Sequence, residues 1–163
     1  MASIGNVVTA SVLGVLTAPG AMDLMVNELA LAQGARGAIA RQSIAVLNSG
    51  PELVERTAHA RYPSLQIYCD KLTTSLKEKF RVFSGTAHVT VEVRYSQDRL
   101  EGMDGGLQAF TDAVCQLLDS ARGDWQQGAY YAGGYDVTFA TVKAAGQGFL
   151  QIAKIGFEVE VSR

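Results

Sequence analysis

The chain has 163 residues, 48% of them apolar and 18% charged, with a formal net charge of −2. That is enough apolar material for one packed core and argues against disorder. A general grip on nucleic acid needs a basic surface that this total does not supply, which leaves room only for a local basic patch. Residues 1–18 are apolar, with Ile4, Val8, Val12 and Val15 at helical spacing. No Lys or Arg precedes Arg36, so the basic start of a secretory leader is missing, and the run is shorter than the roughly 20 residues that span a bilayer. The expectation is a helix packed on the domain or on a neighbouring subunit, with no membrane contact. Pro19-Gly20 breaks it. A second helix is predicted over 21–32, and residues 41–48, with Ile44 and Val46 alternating against Ser43 and Ala45, lean towards a strand.

Ser49-Gly50-Pro51-Glu52 reads as a helix start, with Ser49 as cap and Pro51 in the first turn;. Pro63 disfavours helical geometry at Tyr62, so this helix should stop near Ala60. Leu65, Ile67 and Cys69 then alternate with polar residues as in a strand;. Residues 71–79 (KLTTSLKEK) are polar and basic and read as an extended hairpin arm or loop. Ala87, Val89, Val91, Val93 and Tyr95 face one way and His88, Thr90, Glu92, Arg94 and Ser96 the other, the mark of a half-buried strand;. Phe80, Val82 and Phe83 should pair just upstream, with Gly85 as a bulge or bend. After a polar turn, Met103, Leu107, Phe110, Val114, Leu117, Leu118 and Ala121 form the clearest apolar helical stripe;. Two strands, over 135–142 and 149–161, flank a Gly-rich turn and should be antiparallel neighbours.

The order predicts an α+β fold: a two-layer sandwich in which a four-stranded, mainly antiparallel sheet is covered by one long helix. Residues 1–48 would form an extra N-terminal helical region and residues 49–163 the α+β domain. No chemistry-bearing motif stands out. His59 and His88 lie near no nucleophile pattern, and Cys69 and Cys115 lack metal-site spacing and read as reduced, buried thiols;. Gly102, Gly105 and Gly106 precede a helix, but no Gly-Lys-Ser/Thr follows and Asp104 would repel a phosphate;. Asp98, Glu101 and Asp104 share a turn, and Glu158 and Glu160 share a strand face. These read as solvated charges or, on a ring, as an electronegative bore lining. No catalytic residue, cofactor or metal is therefore expected.

Two segments are unusual. In GDWQQGAYYAGG, residues 123–134, Trp125, Tyr130 and Tyr131 sit among glycines, which suits packing at a strand start, a subunit interface or ligand stacking;. The basic arm carries Lys71, Lys77, Lys79 and Arg81 beside Glu78. It reads as a solvated loop or as a contact arm.

The run FRVFSGTAHVTVEVRYSQDRLEGMDGGLQAFTDAVCQLL resembles the tail terminator (tail completion) proteins of long-tailed bacteriophages. The likeness covers residues 51–163 and lies in element order: basic hairpin, strand with an early Gly, acidic turn, long helix, two further strands. The Ala/Gly-rich N-terminal region departs from that pattern. The resemblance implies a structural virion protein of the tail or neck, made in the host cytoplasm, and not an enzyme. It implies a homo-oligomer, a hexameric ring, that caps the tail tube protein and joins it to the head-tail connector protein, while DNA passes through the bore without specific binding. Lys71, Lys77, Lys79, Arg81, Trp125, Tyr130 and Tyr131 are the subunit-interface candidates. The alternatives are another phage neck or head-completion connector protein, and a small ligand-binding or enzymatic α+β domain, which would need a polar-lined pocket.

Overall fold

The computed structural model describes residues 3–56, 60–75 and 79–163. Helix α1 (Ile4–Leu16) is capped by Ser3, whose Oγ accepts the Asn6 N–H at 3.3 Å. Thr9 and Ser11, which interrupt its apolar run, donate their hydroxyls to carbonyls one turn back, so they sit in the helix without an open polar group;. Val8, Val12 and Leu16 are fully buried on its inner side. Among the described residues no single helix is long and apolar enough to cross a membrane. Gly20, with φ 78°, turns the chain into a π-helical segment, Ala21–Asn27, which runs on into α2 (Glu28–Ala32). The Asn27 amide then clamps the returning loop, accepting the Ile39 N–H at 2.9 Å and donating to the Ile39 carbonyl at 3.1 Å.

The strands that follow are β1 (Ile44–Val46), β2 (Ser64–Thr74) and β3 (Ser84–Gln97), with α3 (Pro51–Arg56) between the first two. Helix α4 (Met103–Ser120) leads to β4 (Gly123–Asp124), β5 (Ala129–Tyr131), β6 (Asp136–Phe139), β7 (Lys143–Ala145) and β8 (Gly148–Ser162). The eight strands among the described residues join one sheet of order β1-β2-β3-β8-β5-β4, with β6 and β7 also on β8. Strand β3 occupies one edge of β8 from Phe149 to Ser162, so β7, β6 and β5 line its other edge in turn. The β1–β2 pair is parallel and the rest are antiparallel.

This overturns the expected four-stranded sheet under one long helix. The sheet is mixed and has eight strands. Of the additional strands, β4, β5 and β7 are two or three residues each, too short to display an alternation, and β1 is the strand expected near Ile44, which joins the same sheet at its edge. The cover differs as well: α1, the 21–32 segment and α4 build the helical layer together, all contributing to one core. The two strands expected at the end of the chain do pair antiparallel across the Gly-rich turn. Gly85 is a regular ladder partner of Thr74, and the bulge lies instead between Cys69 and Lys71.

The core lies between the helical layer and one face of the sheet. Leu65, Ile67, Val89, Val91, Val93 and Ile155 meet Val12, Leu16, Val26, Leu107, Phe110 and Leu118, all fully buried. Helix α4 comes closest to the sheet at Gly106, where a Cβ would overlap the ring of Tyr95. That ring cannot retreat, being buried and packed 5.9 Å from Phe110. Gly106→Ala should therefore lower stability by about 1–3 kcal/mol through overpacking, although Ala is the better helix former. Gly105, one residue earlier and exposed, has nothing within 4 Å of a built Cβ. Gly105→Ala should raise stability by up to about 1 kcal/mol. Urea denaturation of the two variants reads these opposite signs.

Candidate functional site

The second face of the sheet carries the polar side chains, and its centre is buried. The register aligns Gln66 with Glu92 and Glu92 with Lys154 across three strands, with Ser64, Arg94 and Ile152 in the next row. Arg94 is 1% exposed. Its Nη2 donates to Glu92 Oε2 at 2.8 Å, to Gln66 Oε1 at 2.9 Å and to the Ser49 carbonyl at 2.5 Å, and its Nε donates to Glu92 Oε2 at 3.1 Å. The other Glu92 oxygen accepts the Tyr68 hydroxyl at 2.7 Å and lies 3.6 Å from Lys154 Nζ. Ser49, expected as a helix cap, ties the chain before α3 to the sheet, since its Oγ accepts from Gln66 Nε2 at 3.2 Å. Burial pushes the Tyr68 hydroxyl well above its ordinary range, and the Glu92 carboxylate adds to that.

One row away, the bulge at Asp70 brings its carboxylate to His88. Oδ1 lies 2.5 Å from Nδ1, and Oδ2 accepts the Thr90 hydroxyl at 3.3 Å. His88 therefore has its imidazole oriented by an acid, as a general base would, and Glu158 is its partner on β8. A small cleft of about 280 Å³ beside Arg94 gathers Tyr68, Glu92, Lys143 and Lys154. Its carboxylate is already engaged by Arg94 and Tyr68, which leaves the cleft without a free base. A larger groove of about 610 Å³ beside β1 and β2 is lined by Ala45, Leu47, Leu53 and Gln66, and Arg61 is the one ionisable side chain among its described lining residues. Among the described residues no group of three or more His, Cys, Asp or Glu side chains could hold a metal ion.

The arm expected over 71–79 is a hairpin. Residues 71–74 of β2 pair with 85–88 of β3, and Lys71, Leu72, Thr73 and Thr74 are all exposed. The Ser84 carbonyl ties its base by accepting the Ser75 N–H at 2.7 Å and hydroxyls from Thr74 and Ser75. Lys79 and Arg81 are exposed at its end, and Lys77 lies outside the described residues, as does His59. Between these cations Phe80 is 103% exposed and Val82 73%.

The aromatic segment divides. Trp125 and Tyr131 pack inwards with Phe157, at ring-centroid distances of 5.0 and 5.3 Å for the Trp125–Tyr131 and Tyr131–Phe157 pairs. Trp125 Nε1 donates to the Ala121 carbonyl at 2.7 Å and the Tyr131 hydroxyl to the Gly134 carbonyl at 3.1 Å, so the β4–β5 hairpin seals one end of the core. Tyr131 is fully enclosed by its own chain, whereas Tyr130 is 48% exposed. Tyr130 flanks a groove of about 390 Å³ shared with Thr73, Ser84, Thr86 and Glu160 at the base of the arm. The sequence reading missed the Arg94–Glu92–Tyr68 network and the Asp70–His88 pair. All of these residues had been set on outward-facing strand positions, and the signal that joins them is the register between β2 and β3.

No known family model matches the chain, and no curated protein matches it in sequence. Among solved structures it is similar to a chain from the virion of a native gene transfer agent (GTA) particle, with a TM-score of 0.44 and 12% identity over 85% of this chain and 96% of that one. A TM-score below 0.5 does not establish a shared fold.

Arg94→Met leaves Glu92 buried with its main partner gone and should cost about 3–5 kcal/mol in urea denaturation. Glu92→Leu combined with Arg94→Met should recover most of that loss, because no uncompensated charge then remains. Burial, reinforced by Asp112 and Asp119, raises the Cys115 thiol from its ordinary 9.0 to about 11. The folded chain then keeps a proton that the unfolded chain gives up, so stability should fall as pH rises from about 9 to about 11. Cys115→Ala should make that slope shallower in denaturation curves taken across the interval.

Proposed function

We propose that this chain is a structural protein of a phage-like virion: a tail terminator whose copies close into a ring, cap the tail tube and meet the head-tail connector. The observation that carries the reading is the β2–β3 arm. It holds Lys71, Lys79 and Arg81 together with solvent-exposed Leu72, Phe80 and Val82. Exposed apolar side chains set among cations on one hairpin suit a contact made on assembly.

Two further features support it. The sheet ends in unlike edges, β1 on one side and the β4, β6 and β7 stretches on the other. Unlike surfaces on opposite sides of one chain give head-to-tail contacts, and these close into rings when the rotation permits. In addition, Asp70, Glu158 and Glu160 give the second face an acidic margin. Lining a bore, such a margin would repel DNA phosphates and let the duplex slide.

The test is purified full-length protein mixed with tubes of the cognate tube protein, imaged by electron microscopy and weighed by mass photometry. A hexamer of the 17.4 kDa chain, free or seated on one tube end, is the expected result. A monomer at every concentration that ignores tube ends refutes the proposal. Binding to portal complexes alone assigns the chain to head completion instead.

A further inference from the structure

The cleft of about 280 Å³ on the second face of the sheet is cationic. Arg94, Lys143 and Lys154 line it against one lining carboxylate, Glu92. A second carboxylate stands at Gly50, another lining residue, where a built Cβ would meet Glu52 Oε2 at 2.5 Å. Three cations against these two acids leave positive charge in excess. Lys154 is partly committed, since its Nζ lies 3.6 Å from Glu92 Oε1. Lys143 is exposed and forms no ion pair among the described residues.

Arg94 supplies the more specific feature. It is buried, and its Nε and Nη2 hold Glu92, Gln66 and the Ser49 carbonyl. Nη1 is buried too and has no hydrogen-bond partner. The Nε–Nη2 edge of the planar guanidinium faces Glu92, so Nη1 points away from it;. On that side of Arg94 the register sets the row of Ser96, Leu150 and Lys143. A donor left unpaired on a buried cation is costly, and native structures satisfy such groups with an ordered water or an ion.

We infer that this cleft binds one phosphate ion, held by Arg94 Nη1 at its inner end and by Lys143 and Lys154 at its rim. A tetrahedral dianion accepts from three cationic donors at once, whereas a carboxylate presents two oxygens and a single charge. A water would satisfy Nη1 without balancing the excess charge. The volume falls below the roughly 300–1,000 Å³ of clefts that enclose drug-sized ligands, so the cleft suits a small ion and not a nucleotide. A DNA backbone is the other source of the same group. The buried donor favours the free ion, because a phosphodiester carries one charge and enters only with its flanking sugars. Bound there, the ion would fasten Lys143 of β7 and the 48–51 segment to Arg94 of β3, and it would stabilise the fold as its concentration rises. None of this uses the ring reading, and neither inference fails with the other.

The test titrates inorganic phosphate into the full-length protein by calorimetry, with chloride at matched ionic strength as the blank. The Arg94 Nε–H signal is followed by NMR in the same titration. Saturable one-to-one binding is expected, with the Arg94 signal moving at the same midpoint. Lys143→Gln with Lys154→Gln changes two exposed side chains and leaves Arg94 in place. It should weaken binding about tenfold, and Lys143→Arg should retain it. Three results overturn the inference: no saturable heat, equal binding by the double glutamine variant, or saturation with the Arg94 signal unmoved, which describes an ion held by surface lysines alone. A short DNA duplex added to the loaded protein separates the two sources. Phosphate that stays bound supports the free ion, and phosphate displaced from Arg94 overturns it in favour of a DNA backbone.

Discussion

The β3–β8 ladder is the constraint from which the other arrangements follow. Its register runs without a break from Ser84 opposite Ser162 to Gln97 opposite Phe149. Because side chains alternate, this one register sets Val89, Val91 and Val93 with Phe157, Ile155 and Ala153 against the helices, and Glu92 with Lys154 on the other side;. It also sets the start of β3 against the end of β8, and it gives β5, β6 and β7 a common strand on which to pair.

A slip of one residue in that ladder would exchange the faces. Arg94 and Glu92, two apart on β3, would then enter the Val- and Leu-lined core together, away from Gln66, Tyr68 and the Ser49 carbonyl that now satisfy them;. A buried ion pair contributes little net stability by itself. Its larger effect here is to penalise every alternative register, and through Ser49 it fixes where the chain leaves β1 for α3.

The sequence was legible wherever an element was long enough to show its period. The stripe through Leu107, Phe110, Val114 and Leu118 locates α4, and the alternations through Val91 and through Ile155 locate β3 and β8. The expected strand near Ile44 is present as β1. Strands of two or three residues, such as β4 and β5, show no period, so their segment read as a Gly-rich loop. Tyr130 and Tyr131 are neighbours of one type, and only the pleat of β5 sends one inward and the other out. The polar network was beyond local reading for a different reason: Tyr68 and Glu92 are 24 positions apart and meet only through the pairing of β2 with β3. Residues 71–79 were legible from composition as a basic hairpin arm or loop, and the pairing of β2 with β3 decides for the hairpin.

The position of β8 within the sheet has a consequence for how the chain is made. The middle of the sheet is filled by residues 148–162, whereas β3 is complete at residue 97. On the ribosome, β3 must therefore wait, with one long edge bare, while the whole of α4 and four short strands are synthesised. Such non-local pairing is slow to form and leaves nascent strands open to wrong partners. Until residues 148–162 arrive, that vacant edge is open to pairing with the same edge of another nascent copy.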